Sequence, residues 1–438
     1  MLAGALLPVI CAAAPAAAQE SPGNAEFCFT AEPPAPEAPP RPLRIGITPL
    51  TAGNVGAVQA DAVPLDLDKD LAALQGLRPP GKALVLRLNR MFWADGEQGV
   101  QRYAALVDRY AAAGFSSELQ VRYHPPEGAE GDLDAWEEYV RLASRVLGER
   151  RSVVALSITN EANFTASTNT SDGGYEGVRE AIVRGTVAAR DELDRIGRPD
   201  VQLGFSFAWR YAPDSDREFW EELGRLATPE FLAATDYVGL QVYPHLVWPP
   251  APLPGRSLTR EVVEPLTLLR QCYLPKAGLQ DVDLWITENG YATNLGRTEA
   301  QQEASLRETV EAVHRWSGTL GVTDYRWFNL RDNRSNGTDL FDAVGLLRDD
   351  YSEKPAYAAF REMLTAFGSA AAEAPHPATP AQPPAAAAPP AAAAAQQAAA
   401  PSLPATGADP RPAVVAVVLL AGAALSARRR PRSVRPRC

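Results

Sequence analysis

Between residues 42 and 368, short apolar runs of strand length alternate with longer amphipathic stretches, and that alternation leaves few folds open. Strand patterns fall at 43–49, 83–89, 117–123, 153–159, 202–207, 237–243, 284–287 and 325–330. Helical patterns lie between or after them, such as 100–113, 133–147, 176–196, 217–226, 259–269, 300–316 and 354–367. A strand, a helix and a further strand, repeated, imply right-handed parallel β-α units. Eight strands without a glycine-rich phosphate loop favour an α/β fold of the closed (β/α)8 TIM-barrel type, with a doubly wound sheet as the alternative.

Barrel chemistry collects at the C-terminal ends of the strands, so polar and aromatic residues are expected there. Strand two runs into Arg87-Leu-Asn89-Arg90-Met-Phe-Trp93, strand three into Arg122-Tyr123-His124, and strand four into Asn160-Glu161. Trp209 follows strand five, Tyr243 and His245 end strand six, Glu288-Asn289 end strand seven, and Trp327 lies in strand eight. Glu161 and Glu288 stand out, because a carboxylate beside a hydrophobic core is costly unless it is paired or hydrogen-bonded. Two facing carboxylates can divide labour, one protonated as general acid and the other ionised as nucleophile or base. Trp93, Trp209, Trp248 and Trp327 are expected to ring the same rim, where flat apolar faces suit sugar rings. Packing under a loop is the alternative for each of them, and a hydrogen bond to loop backbone the alternative for His124 and His245.

The ends of the chain differ from the middle. Residues 1–18 are apolar and alanine-rich and close on Ala16-Ala17-Ala18, which reads as a cleaved signal peptide lacking its basic start; an uncleaved anchor is the alternative. Residues 19–41 form a polar, proline-rich leader. Residues 369–402 are almost wholly Ala, Pro and Gln, a composition suited to an extended spacer. Then come Leu403-Pro404-Ala405-Thr406-Gly407, an apolar stretch at 413–427, and Arg428-Arg429-Arg430-Pro431-Arg432. In order and spacing this 403–438 segment resembles the sortase sorting signal of Gram-positive surface proteins. The resemblance implies transient membrane insertion of the apolar stretch, cleavage before Gly407, and joining of Thr406 to peptidoglycan. A secreted, wall-anchored protein follows, with sortase and peptidoglycan as partners; an ordinary C-terminal membrane anchor is the alternative. Such processing leaves only Cys28 and Cys272, which invites one disulfide in an exported protein.

A formal net charge of −11 gives no sign of nucleic-acid binding, which calls for a basic stripe. No cluster of His, Cys and carboxylates has metal-ligand spacing, so neither a catalytic metal nor another cofactor is expected.

Across 42–368, Asn160-Glu161 at the fourth strand and Thr287-Glu288-Asn289-Gly290 at the seventh resemble the retaining (β/α)8 glycoside hydrolases of the clan containing families 1, 2, 5, 39 and 42. The closing segment, Trp327 to Asp332, Gly345-Leu-Leu and Lys354-Pro-Ala-Tyr, is similar to the family 5 and 39 type. The resemblance implies Glu161 as acid/base and Glu288 as nucleophile, with a carbohydrate substrate. It further implies that Asn160 meets a sugar hydroxyl, Tyr243 orients Glu288, Arg87 favours its ionised form, and Trp327 lies under the first sugar. Ala162 departs from the proline or glycine common after the acid/base. Two other functions fit the same chain: a non-catalytic surface barrel binding glycan, and a transglycosylase remodelling an envelope polysaccharide.

Overall fold

The computed structural model describes residues 31–50 and 63–371. The signal segment 1–18, Cys28, the spacer beyond residue 371, the 403–407 signal and the apolar stretch 413–427 lie outside the described residues. No helix among the described residues is long and apolar enough to cross a membrane.

Eight parallel strands close into a barrel in sequence order. They are β1 (Arg44–Thr48), β2 (Val85–Phe92), β3 (Ser116–Arg122), β4 (Val153–Ile158), β5 (Gln202–Ala208), β6 (Tyr237–Gln241), β7 (Asp283–Asn289) and β8 (Val322–Phe328). The helices are α1 (Leu67–Leu77), α2 (Gly96–Ala112), α3 (Leu133–Gly148), α4 (Val178–Arg195), α5 (Pro213–Leu226), the short α6 (Pro229–Ala234), α7 (Leu258–Leu268), the single turn α8 (Leu274–Lys276), α9 (Glu299–Leu320) and α10 (Pro355–Phe367). The alternation in the sequence therefore forms the barrel, and the doubly wound alternative falls. Helix starts follow local chemistry. Thr298 and Gln301 form a capping box on α9, Asp132 caps α3, and proline opens α5 and α10.

Side chains alternate along each strand, and the two faces differ sharply. Leu86 and Leu88, Leu119 and Val121, and Tyr325 and Trp327 join the large core cluster. The intervening residues face the barrel interior. Glu118 on β3 reaches Arg326 on β8 at 2.9 Å, although β1 and β2 separate those strands in the sheet, so the contact crosses the lumen. Branched apolar side chains usually fill such a lumen. Here Arg87 pairs with Glu118, Arg326 with both Glu118 and Asp324, and Arg44 with Asp324. Tyr237 and Trp285 stack beside this network, 3.5 Å between centroids. Gly46 makes room, because a Cβ there would lie 2.6 Å from Arg326 Cδ.

The described part of the leader lies along α9. Arg41 donates its amide to Ser317, Trp316 donates to the Pro34 carbonyl, and a Cβ on Gly318 would meet the Pro39 carbonyl at 2.1 Å. Cys272, just after α7, is disulfide-bonded; its expected partner Cys28 lies outside the described residues.

Candidate active site

The end of β4 turns through two left-handed residues, Thr159 (φ 67°) and Glu161 (φ 46°), a conformation that is uncommon without glycine and tends to mark functional positions. Asp172 secures this turn. One of its oxygens accepts from the Asn160 and Tyr123 amides at 2.8 and 2.9 Å, and the other meets Arg122 Nε at 2.8 Å. The Glu161 amide donates to Ser206 on β5 at 3.1 Å. Asn160 is held on both sides, accepting from Gln241 at 2.6 Å and donating to the Thr170 carbonyl at 2.8 Å.

Glu288 sits in β7, paired in register with Gln241 just past an irregularity in the β6–β7 ladder. The Tyr243 hydroxyl donates to one Glu288 oxygen at 2.9 Å, and Arg87 approaches the other at 3.6 Å. Asn289 instead donates to the Val242 carbonyl and accepts from the Tyr325 hydroxyl.

Glu161 and Glu288 line one cavity of about 320 Å³, a size ordinary for small-molecule sites. Burial, and next the charge of Glu288, push the Glu161 carboxyl up to about 8, against the pull of Arg122 and Arg210. Burial also raises Glu288. Arg87 and the Tyr243 hydrogen bond oppose that rise, so Arg87 acts in the expected sense but burial outweighs it. Of the two, Glu288 is better prepared to ionise. Arg87 lies between the carboxylates of Glu118 and Glu288, so charge on Glu288 is met by a fully buried guanidinium. The Glu161 carboxylate accepts no hydrogen bond among the described residues.

Asn160, Trp209 and Tyr243 also line the cavity, and Arg87 stands directly behind Glu288. Besides Arg87, five expected residues do not line it. Trp327 is fully buried and pairs in register with the outward-facing Ile47, so its ring enters the layer between sheet and helices. Phe328, one residue on and on the opposite face, lines the cavity in its place. Trp93 packs between Tyr123 and Trp136 of α3, 5.6 Å from each. His124 is bonded to the Tyr175 hydroxyl at 2.9 Å and tilted onto Phe92; burial and Arg122 lower its pKa. Trp248 stacks on Tyr211 outside the cavity. His245 pairs with Glu261 at 2.7 Å.

Several lining residues were not singled out from sequence. Arg122 shares a face with Glu118 and Gln120 by strand period, a signal legible once β3 is placed. Phe164, Arg210 and the wall formed by residues 339–342 come from loops without periodicity. Among the described residues no group of three or more His, Cys, Asp or Glu side chains could hold a metal ion.

No protein-family model matches the chain, and no curated protein matches it. Solved structures do. GH5_18 from Streptomyces cattleya, in complex with GlcNAc, is similar over 75% of this chain and 81% of its own, at 16% identity and a TM-score of 0.54. A β-glucosidase from Thermotoga maritima, in complex with noeuromycin, is similar over 77% of this chain and 100% of its own, at 13% identity and TM-score 0.51. The exo-β-1,4-mannosidase Op5Man5 from Opitutaceae bacterium strain TAV5 is similar over 74% and 59%, at 16% identity and TM-score 0.50. What these identities show is a shared barrel.

Proposed function

We propose that this protein is a retaining hydrolase of β-glycosides, with Glu161 as acid/base and Glu288 as nucleophile. The observation that carries the reading is two carboxylates in one cavity, the half-buried Glu161 just after β4 and the buried Glu288 on β7, with neighbours that favour opposite protonation states. The names of the barrels it resembles, a β-glucosidase and an exo-β-1,4-mannosidase among them, support the same reaction class.

In the first step Glu161 gives its proton to the glycosidic oxygen as the bond to the anomeric carbon breaks. Glu288 attacks that carbon from the opposite face and forms a glycosyl ester. In the second step Glu161, now ionised, takes a proton from water; the hydroxyl displaces Glu288 and the sugar leaves with its configuration kept. Tyr243 and Arg87 hold the attacking oxygens in place and spread their charge. The 403–407 signal, read with the signal-peptide pattern at 1–18, supports action at the cell surface by a wall-anchored protein.

The direct test is a panel of aryl β-glycosides with wild type and Glu288→Gln. Loss of the nucleophile is expected to lower kcat by about 10⁴-fold or more. An unchanged rate would remove the proposal.

A further inference from the structure

Seven large apolar side chains are exposed among the described residues, and four of them cluster in the loops after β5 and β6. Tyr211 is 44% exposed, Val247 39%, Trp248 36% and Leu253 41%. Single exposed aliphatics are ordinary surface, but grouped aromatic rings beside a cavity call for an occupant.

The rings form a continuous path. Trp209 lines the cavity. Tyr211 meets it edge-on at 6.3 Å, and Trp248 lies nearly parallel to Tyr211, 5° apart with centroids 6.0 Å away. Val247, beside Trp248, lines the cavity from the other loop. An aromatic shelf therefore runs outward from the chamber that holds Glu161 and Glu288.

The shelf is built into the site. The amides of Leu246, Val247 and Trp248 all converge on the Tyr243 carbonyl, at 3.2, 2.9 and 3.2 Å. Tyr243 also holds Glu288 by its hydroxyl. The His245–Glu261 pair and Arg297, which donates to the His245 carbonyl, pin the same loop to α7 and to the β7–α9 loop. On the other side, β5 carries Ser206, the acceptor of the Glu161 amide, three residues before Trp209. The shelf thus borders the strand that supports the proton donor, the side from which a leaving group departs. Exposed, preorganised rings offer flat apolar faces to the C–H faces of a sugar at little ordering cost.

We infer that Tyr211 and Trp248 bind the leaving-group sugar, so the preferred substrate is a β-linked disaccharide or longer chain and not a glycoside of a small aglycone. This rests on the hydrolase reading.

The test compares β-glycosyl fluorides, which carry no leaving-group ring, with β-linked disaccharides and trisaccharides of the same sugar, across the common hexoses and pentoses. Wild type, Tyr211→Ala, Trp248→Ala and Trp248→Phe are assayed on each. The alanine variants should lose about tenfold in kcat/KM on the oligosaccharides, chiefly through KM, and keep fluoride hydrolysis within about twofold. Trp248→Phe should restore most of the loss. Equal losses on both substrate types, or none on either, would overturn the inference. A wild type that turns over neither type would instead overturn the hydrolase reading beneath it.

Discussion

Glu161 and Glu288 bear the same functional group in the same cavity, and their neighbours alone set them apart. Tyr243 and Arg87 stabilise charge on Glu288, whereas Glu161 has only the more distant pull of Arg122 and Arg210 to set against burial and Glu288. The sign of the pH dependence follows. The reacting form has Glu288 ionised and Glu161 protonated, so kcat/KM should rise as Glu288 loses its proton and fall as pH climbs through about 8, where Glu161 loses its own. Glu161→Gln should abolish that alkaline limb on substrates with good leaving groups; a limb that survives would assign it to another residue.

Both acids were legible in the sequence because each ends an apolar run, where a chance carboxylate is costly. Trp327 misled for a related reason. Strand period places a residue on a face only when the register is known, and a slip of one residue exchanges Trp327 for Phe328. Trp93 and His124 stand at strand ends as expected, yet Tyr123, Trp136 and Tyr175 take up their rings. Such partners come from distant segments, which a local pattern does not reveal.

At the scale of elements, the inner faces of β1, β2, β3 and β8 carry an ionic lattice where apolar layers are usual. Glu118 is its hub, fully buried and shared by Arg87 and Arg326. Glu118→Gln leaves both guanidiniums short of a buried counter-charge and should cost about 3–5 kcal/mol of stability, read from urea unfolding. A loss below about 1 kcal/mol would show that the lattice is not an energetic unit. The eight strands were legible because each needs a continuous apolar face toward the helices. Helix α1 gave a weak signal, burying only Leu74 and Leu77 among its apolar residues along with Asp70. The cavity wall at 339–342 gave none, since hydrogen bonds to Asp342 and packing against Tyr243 and Phe328 shape it.

At the scale of the whole molecule, the proposed sorting signal at 403–407 would tether the barrel to the wall. Expressed in a sortase-bearing Gram-positive host, the full chain should appear in the wall fraction and be released by muramidase, while Thr406→Ala should leave the wall. Wall attachment that persists in Thr406→Ala would contradict the proposed sorting.

The proposed ester between Glu288 and the sugar is one covalent bond, and mass spectrometry of the intact protein reads it. Incubated with activated 2-deoxy-2-fluoro-β-glycosides, which slow release of the ester, the wild type should gain the mass of one fluoroglycosyl group. Peptide mapping should place that group on Glu288, with Glu288→Gln unlabelled. A label on any other residue, or hydrolysis by wild type with no labelled species at all, would contradict it.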